Sequence, residues 1–306
     1  MTLFLGVDGG GTRTRALVTD AEGVELARAD GPATLIDQAN PRATIGVVTH
    51  VCRQAMGNAG ASLPASVLWA GIAGAGNDPA RSTVRDALQA AELAETVHVG
   101  TDATAAFHDA FGDGAGILLI SGTGSSAVGC GSDGSTISVG GWGDLLGDEG
   151  SGYAMGMSAL RAVVRGEDGR SMKTALRDPI LAKLGVVRPE ELIVWIAMAT
   201  KAEVADLVPL VCDLAESGDE VARTIIESAV EDLAAHVLTV VKRLGPWPGL
   251  PAVALAGGLI DEGGPLRQRV SVAIGVLLCQ ARDRVVDAAR GAADLAVRSV
   301  DEGSAS

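Results

Sequence analysis

The stretch that decides the fold of this chain is Gly6-Val-Asp-Gly-Gly-Gly-Thr-Arg-Thr-Arg15. An apolar run leads into it from Leu3 and ends in Asp8, and a second strand-like run begins at Arg15. This pattern predicts a β-hairpin whose turn is nearly free of side chains. Because glycine lets a backbone approach a ligand closely, and because an acid and a hydroxyl flank the glycines, the turn suits a metal-bound polyphosphate.

The turn differs from two better-known phosphate loops. It lacks the Gly-Lys-Ser/Thr ending of a P-loop, and a strand follows it where a P-loop or a dinucleotide-binding fingerprint has a helix. The same ten residues are also compatible with a tight hairpin that merely tolerates a glycine run. The stretch alone leaves both interpretations open.

The composition limits the classes of partner. The chain has 306 residues, 47% of them hydrophobic, and a formal net charge of −14. This length accommodates two domains with sizeable cores, and the charge argues against nucleic acid or an anionic membrane as the main partner. No apolar run reaches the length of a membrane span, and the N-terminus lacks the basic region of a signal peptide. We therefore expect a cytoplasmic protein.

The cysteines and histidines are scattered along the chain. The sequence has no Cys-x-x-Cys pair, so a disulfide framework, a zinc site and a clustered iron–sulfur site are poorly supported, and we expect reduced, mostly buried thiols. No histidine stands in a metal-ligand spacing. The residues concerned are Cys52, Cys130, Cys212, Cys279, His50, His98, His108 and His236.

Two series of strands and helices follow one another. The first predicts strands at residues 3–8, 14–19, 24–29, 66–71 and 96–100 and helices at residues 41–60, 78–91 and 103–111. The second predicts strands at residues 116–120, 126–131, 135–139 and 251–256, a helical region at residues 153–244, and helix-like residues from 266 to 300 with a break near Arg282–Asp283. A strand, a Gly/Thr/Ser turn and two further strands thus occur twice. Since such a repeat sets an architecture, it predicts two similar lobes, residues 1–113 and 114–306, with two unrelated hairpins as the alternative.

Five segments carry a resemblance to a known family. They are Asp8-Gly-Gly-Gly-Thr-Arg-Thr14, Thr101-Asp-Ala-Thr-Ala-Ala106, Leu119-Ile-Ser-Gly-Thr-Gly-Ser125, Gly140-Gly-Trp-Gly-Asp-Leu-Leu-Gly-Asp-Glu-Gly-Ser151 and Ala256-Gly-Gly-Leu259. In order and spacing they resemble the N-acetylglucosamine kinase and BadF/BadG/BcrA/BcrD ATPase family, within the sugar kinase/Hsp70/actin superfamily. The resemblance is strong over residues 3–160, weak as far as residue 250, and returns at residues 256–259.

The resemblance implies an α/β fold of two RNase H-like lobes, the actin-like ATPase fold, around a cleft for nucleotide and sugar. It implies a helical insertion in the second lobe and a last helix that returns to pack on the first lobe. It also implies a homodimer, and lobes that close on the substrates and so exclude water from the reaction.

ATP and Mg²⁺ are the cofactors that the resemblance implies. Asp8 would hold the metal, directly or through water, because phosphoryl transfer needs positioning and charge neutralisation more than covalent chemistry. Backbone N–H groups of the glycine loops would bind the phosphates, and an ordinary strand-to-helix turn is the alternative for the last Gly-Gly pair. The residues concerned are Gly9, Gly10, Gly11 and Thr12 in the first loop, Gly122, Thr123 and Gly124 in the second, and Gly257 and Gly258 after the last strand.

Asp102 is the candidate general base. It follows a short strand and heads a helix, and it would accept the proton of the attacking hydroxyl. A plain helix N-cap is the competing role, since Asp fills that position well.

The resemblance places the sugar against a glycine-flanked acidic loop. Asp148 and Glu149 would bind its hydroxyls, and Trp142 would form a wall of the site or shape the loop. Gly124 and Asp102 would complete the site. The alternative is a solvated acidic turn beside a buried tryptophan.

These residues predict an ATP-dependent kinase that phosphorylates a hydroxyl of an amino sugar, of the N-acetylglucosamine or glucosamine type. One alternative is an ATP-driven activator of a radical dehydratase or reductase, whose relatives bridge an iron–sulfur cluster with cysteines; the scattered cysteines argue against it. Another is a non-catalytic sugar-binding regulator of the same fold. The presence of Asp8, Thr12 and Asp102 argues against that regulator.

Three residues bear on sugar selectivity. Leu35, Ala75 and Ser126 stand where kinases of acetylated sugars commonly carry polar residues, so few amide partners are available to an acetamido group. They therefore favour a free amine or hydroxyl at C2, or weak discrimination, over strict N-acetyl specificity.

Overall fold

The computed structural model describes residues 2–36 and 40–303, with side chains up to residue 300. The chain forms two compact units, which we call unit 1 (Met1–Asp113 and Val286–Ser306) and unit 2 (Gly114–Val285). Each unit holds one five-stranded sheet with helices, so the α/β class predicted from the sequence is confirmed. Within the described part of the chain, none of the helices has the length and apolar character needed to cross a membrane.

The strands and helices alternate in the order that the sequence pattern indicates. The strands are β1 (Phe4–Gly9), β2 (Arg13–Thr19), β3 (Glu25–Pro32), β4 (Ala65–Ile72), β5 (Ala94–Gly100), β6 (Gly116–Ser121), β7 (Ser125–Cys130), β8 (Thr136–Gly140), β9 (Ala252–Ala256) and β10 (Gln280–Ala281). The helices are α1 (Ala43–Asn58), α2 (Asp78–Ala90), α3 (Asp102–Phe111), α4 (Gly152–Glu167), α5 (Arg177–Leu184), α6 (Leu192–Met198), α7 (Lys201–Ala205), α8 (Val208–Glu216), α9 (Glu220–Leu244), α10 (Arg267–Val276) and α11 (Ala288–Gly303).

The sheet of unit 1 has β1 at its centre, in the order β3-β2-β1-β4-β5. Strand β1 runs antiparallel to β2 and parallel to β4, and β4 runs parallel to β5. Side chains alternate between the two faces of a strand. Leu5 and Val7 of β1 accordingly pack into a core with α1 and α2, whereas Phe4 packs with Ala296 of α11 on the other face.

Helix α11 belongs to unit 1 and touches β1 and α3 directly. A Cβ atom built on Gly6 of β1 would lie under 3.0 Å from the backbone of Ala289 and Ala293, and one on Gly291 would meet the backbone of Ala105 equally closely. Real Cβ atoms do not approach backbone so closely. Glycine at both positions is therefore what allows the last helix to lie against the first strand.

The sheet of unit 2 repeats this arrangement in the order β10-β9-β6-β7-β8. Strand β6 runs antiparallel to β7 and parallel to β9, as β1 does to β2 and β4. The 25-residue helix α9 packs across β6, β7 and β8. The repeat expected from the two hairpins is thus present in the strand pairing.

The break predicted near Arg282–Asp283 in the helix-like segment 266–300 is present, but it is longer than the sequence indicates and contains a short strand. Helix α10 ends at Val276, and β10 then pairs parallel with β9. The Gln280 N–H donates to the Pro251 carbonyl at 2.9 Å and the Arg282 N–H to the Val253 carbonyl at 2.8 Å. These bonds supply partners for the edge of β9, so strand pairing with a distant segment outweighs local helix propensity.

Candidate active site

The carboxyl edge of the unit 1 sheet brings Asp8 and Asp102 together. Because β1, β4 and β5 are parallel, their carboxyl ends lie at one edge, where α/β sheets commonly bind ligands. Asp8 pairs in register with Gly71 of β4, and Asp102 begins α3 just after β5. A Cβ on Gly71 would lie 3.2 Å from the Thr101 carbonyl oxygen. Glycine at this position of β4 therefore leaves room for the start of α3.

The electrostatics of this edge are unfavourable for two bare carboxylates. Burial, and then the charge of Asp102, raise the pKa of Asp8 to about 7, although Arg15 acts to lower it. Burial also raises the pKa of Asp102. Paired acidic groups with raised pKa values are typical of sites that hold a cation or move a proton.

Thr101, and not Asp102, is the N-cap of α3. The Thr101 hydroxyl accepts the N–H of Thr104 at 3.0 Å. The Asp102 carboxylate accepts only from its own first turn, where the Ala103 N–H donates to Oδ1 at 2.9 Å. The capping role that competes with catalysis is therefore already filled by its neighbour.

The glycines of the first hairpin are not required by the fold around them. Gly9, Gly10 and Gly11 do not have positive φ angles. A Cβ at Gly9 or Gly10 would make ordinary contacts of 3.4 Å or more, and one at Gly11 would have no described atom within 4 Å. Because glycine in a strand or turn interior lowers stability, three glycines that the surrounding packing does not require favour the prediction that a ligand approaches this backbone.

The Gly10 N–H is engaged within the hairpin. It donates to the Arg13 carbonyl at 3.0 Å. The Gly10 carbonyl in turn accepts the Thr34 N–H at 2.9 Å. Gly10 therefore takes part in the turn through its backbone, and phosphate binding by Gly10, Gly11 and Thr12 stays a prediction.

The residues of this edge fit a bound Mg²⁺ ion. Magnesium in nucleotide sites takes one or two carboxylates and completes its shell with waters and phosphate oxygens. Asp8, with Asp102 near enough to raise its pKa, supplies that small donor set. No group of three or more His, Cys, Asp or Glu side chains in the described residues forms an all-protein cage.

In unit 2 the second glycine loop is bonded to the acidic loop. The Gly152 N–H donates to the Gly122 carbonyl at 2.8 Å, and the Tyr153 N–H donates to the Thr123 carbonyl at 3.3 Å. The Ser125 hydroxyl donates to the Glu149 carbonyl at 2.6 Å. The Gly122 N–H is engaged within its own turn with the Gly124 carbonyl at 2.9 Å, as the Gly10 N–H is in unit 1.

Asp148 lies at the centre of this loop pair. It has a left-handed backbone with φ of 60° and is only 6% exposed, and its Oδ1 accepts the Ser125 N–H at 3.3 Å. A Cβ on Gly124 would come within 2.9 Å of that oxygen. Gly124 is therefore needed to seat Asp148, a role that the sequence pattern did not indicate. Burial raises the pKa of Asp148.

The other predicted sugar residues lie on the surface of unit 2. Glu149 is exposed, and Trp142 is 75% exposed. The alternative of a buried tryptophan is therefore wrong, and a tryptophan available to a ligand is what a wall of a sugar site requires. Leu145 and Leu146 beside it are exposed as well.

Gly257 and Gly258 follow β9 and differ in their roles. Gly257 has φ of 96°, and its α-carbon leaves no room for a Cβ beside the Ser121 carbonyl. Gly258 has no described atom within 4 Å of a built Cβ. Gly257 is thus required by the turn, as the structural alternative held, whereas Gly258 has no such requirement and stays a candidate for nucleotide contact.

Lys201 and Asp144 are site residues that the sequence pattern missed. The Lys201 Nζ atom lies 2.6 Å from Asp144 Oδ1 and 4.0 Å from Asp148 Oδ2. Lys201 comes from the helical region, where the resemblance is weak. Because Lys201 is far from Asp144 in the sequence, no local pattern indicated this contact.

Comparison with known proteins now decides the family. Residues 5–296 match the BadF/BadG/BcrA/BcrD ATPase family. The chain belongs to this family. The resemblance inferred from five short segments is confirmed, and the match extends through the helical region that those segments do not cover.

Similar proteins of this family cover most of the chain. The N-acetylmuramic acid/N-acetylglucosamine kinase of Clostridium acetobutylicum is 32% identical over 86% of this chain and 87% of its own length. The N-acetyl-D-glucosamine kinase of Dictyostelium discoideum is 31% identical, over 79% and 80%. A solved structure from Chromobacterium violaceum, provisionally described as an N-acetylglucosamine kinase, has a TM-score of 0.82 at 28% identity and covers 96% of this chain and 99% of that chain. The actin-like ATPase fold predicted from the resemblance is thereby confirmed.

The cysteines of this family member are unsuited to a shared iron–sulfur cluster. All four are free; Cys52, Cys130 and Cys279 are buried and Cys212 is half-buried. Burial alone raises the pKa of Cys52 to about 12, which disfavours the thiolate that iron binds. A cluster that bridges two chains needs accessible cysteines, so the activator alternative gains no support.

The residues used to predict selectivity differ in exposure. Leu35 is 52% exposed and bridges to Ala73 in unit 1, but Ala75 is completely buried in the core of that unit. Ser126 is half-buried in unit 2. Ala75 is therefore a packing residue here, and it carries no information about which sugar binds.

Proposed function

We propose that this protein is an ATP-dependent kinase that phosphorylates a hydroxyl of an amino sugar, with Asp102 as the general base. The observation that carries the proposal is the position of Asp102, a half-buried carboxyl beside Asp8 that helix α3 does not need as its cap. The amino sugar kinases of C. acetobutylicum and D. discoideum, similar over most of their length, support the substrate class.

In this proposal Asp102 accepts the proton of the attacking sugar hydroxyl. Burial raises the pKa of Asp102 and so brings its proton affinity closer to neutral pH, where a general base is most effective. Mg²⁺, when bound, neutralises charge on the transferred phosphate, and Asp8 would hold it. The open space beside Gly11 would admit the phosphates to the backbone.

The sugar would bind to the acidic loop of unit 2. Glu149 and Trp142 are exposed and can offer a hydroxyl acceptor and an apolar face. Asp148 is mostly enclosed, so it would present one carboxylate edge to a sugar hydroxyl while its Oδ1 keeps the Ser125 N–H. We retain the proposal of weak discrimination at C2, now supported by Leu35 and Ser126 alone.

We further propose that the enzyme uses Mg-ATP, works in the cytoplasm and forms a homodimer. Light scattering at micromolar concentration would measure the assembly. A monomeric mass would contradict the dimer and leave the kinase proposal untouched.

The test of the proposed function is ATP consumption against a panel of sugars. Purified enzyme with Mg-ATP is assayed with N-acetylglucosamine, glucosamine, N-acetylmuramate, N-acetylmannosamine and glucose, and phosphorylated sugar is identified by mass spectrometry. We expect turnover with at least one amino sugar and none with Asp102→Asn at the same concentration. Wild-type protein that binds ATP but phosphorylates none of these sugars would contradict the proposal. Iron content of an anaerobic preparation, expected at background, tests the activator alternative in parallel.

A further inference from the structure

Lys201 joins two acidic residues of the sugar loop. Its ammonium lies 2.6 Å from Asp144 Oδ1 and 4.0 Å from Asp148 Oδ2, so one cation touches both ends of residues 144–148. The Lys201 side chain is half-exposed, whereas that of Asp148 is nearly enclosed. A half-exposed cation thus lies beside a nearly enclosed carboxylate.

Helix α7 does not need Lys201. Thr200 and Glu203 form a reciprocal capping box at its start: the Thr200 hydroxyl accepts the Glu203 N–H at 3.3 Å, and the Glu203 carboxylate accepts the Thr200 N–H at 2.7 Å. A cation in the first turn of a helix opposes the positive end of the backbone dipoles. The position of Lys201 is therefore explained by the loop that it contacts and not by its own helix.

We propose that Lys201 is the positioning residue of the sugar site: it holds residues 144–148 through Asp144 and stabilises the carboxylate of Asp148 as an acceptor for a sugar hydroxyl. This inference rests on the proposed function for its substrate, but its electrostatic part concerns the protein alone.

The charges around Asp148 support this role. Burial raises its pKa, and the carboxylates of Asp144 and Glu149 act in the same direction. The Ser125 N–H and the Lys201 ammonium are the groups that lower it. Lys201 also lowers the pKa of Asp144. Without Lys201, the Ser125 N–H alone would offset burial and the charges of Asp144 and Glu149, and Asp148 would take up a proton more readily.

The same contact bears on substrate choice. A carboxylate that already faces an ammonium attracts a second cation less strongly, because the two cations repel each other. Asp148 is therefore suited to a neutral hydroxyl and not to the protonated amine of glucosamine. Any preference for a free amine must come from Glu149 or from residues elsewhere.

The kinetic test replaces Lys201 by methionine, which keeps an unbranched side chain up to the ε position and removes the ammonium. We expect the KM for the sugar to rise about tenfold or more, the effect typical of losing one charge-assisted hydrogen bond. The KM for ATP and kcat should change less than about threefold, because Asp8 and Asp102 are untouched. Lys201→Arg should restore most of the sugar affinity.

A matched control lies at the other end of the same helix. Lys183 pairs with Asp206, the C-cap of α7, at 2.7 Å. Lys183→Met removes a lysine–aspartate pair that also contacts α7 but does not reach the sugar loop, so it should leave the KM for the sugar unchanged. Equal effects of the two variants, or an unchanged KM in Lys201→Met, would overturn the inference.

A second readout needs no turnover. The carboxyl of Asp148 is followed by NMR in protein labelled at aspartate carboxyl carbons, with Asp148→Asn to assign the signal. We expect its titration midpoint to move to higher pH in Lys201→Met and to stay in place in Lys183→Met. If the midpoint of Asp148 does not move in Lys201→Met, the role of Lys201 is overturned whatever the enzyme phosphorylates. If the midpoint moves but no sugar in the panel is phosphorylated, only the proposed function is overturned.

Discussion

Replacing Asp102 by asparagine separates catalysis from helix capping. Asparagine has nearly the same shape, and its side-chain oxygen can still accept the Ala103 N–H that Asp102 Oδ1 accepts at 2.9 Å. The cap of α3 is provided by Thr101, so the helix start is preserved. Loss of a general base typically lowers the rate about 10²–10⁴-fold, equivalent to about 2.7–5.4 kcal/mol in the activation barrier.

The free energy of unfolding of Asp102→Asn should change little, or should increase although the rate falls. Asp102→Asn removes a buried carboxylate that raises the pKa of Asp8, so an unfavourable charge pair disappears. Thr101→Ala is the converse control. It removes the 3.0 Å bond to the Thr104 N–H, and loss of an N-cap costs about 0.5–2 kcal/mol of stability, but it leaves the general base in place.

The assay combines sugar-dependent ADP release with chemical denaturation of both variants. Asp102→Asn should lose turnover and keep its denaturation midpoint, and Thr101→Ala should show the reverse. If Asp102→Asn keeps more than about a tenth of the wild-type turnover, well above the loss expected for a general base, then Asp102 binds or caps and another group takes the proton.

The remaining predictions concern the glycines, the metal and pH. Gly11→Ala should keep the stability of the fold or raise it by up to about 1 kcal/mol, yet it should raise the KM for ATP. Gly257→Ala should destabilise the fold by about 1–3 kcal/mol, because residue 257 has a φ of 96°. Equal melting temperatures of the two variants would contradict this contrast. Asp8→Asn should raise the Mg²⁺ concentration needed for half-maximal rate more than it raises the KM for the sugar, and an unchanged Mg²⁺ dependence would exclude the metal role. Gly6→Ala should lower the unfolding midpoint of unit 1 by displacing α11, which proteolysis of the last helix would detect. Because burial raises the pKa of Asp102 and the base acts deprotonated, kcat/KM should fall on acidification at a pH above that typical of exposed aspartates; a profile flat down to pH 4 would contradict it.

The placement of Asp8 and Asp102 at the ends of strands was predictable because their signals are local. Asp8 ends an apolar run, Thr101 and Asp102 follow another, and the glycines that interrupt these runs stand next to them in the sequence. Strand pairing then places these ends at one edge, as parallel topology requires.

The contacts that the sequence did not reveal are those between distant segments. Gly124 leaves room for the carboxylate of Asp148, which is 24 positions further along the chain. The need for glycine at this position is therefore visible only in the folded structure. Lys201 comes from a helix with no recognised motif, and only its Nζ distance to Asp144 identifies its role. Strand β10 is two residues long and is defined by its partner β9 alone. Local patterns carry no information on such pairings.

The contact of α11 with β1 has a consequence for synthesis of the chain on the ribosome. Strands β1–β5 emerge first, but the face of their sheet that includes Gly6 is covered only when α11 follows. Synthesis of the intervening Gly114–Val285 takes about 10–30 s at roughly 5–20 residues per second. The unit whose strands are translated first is therefore completed only after unit 2, and during that interval the part of its sheet face around Gly6 lacks the cover of α11.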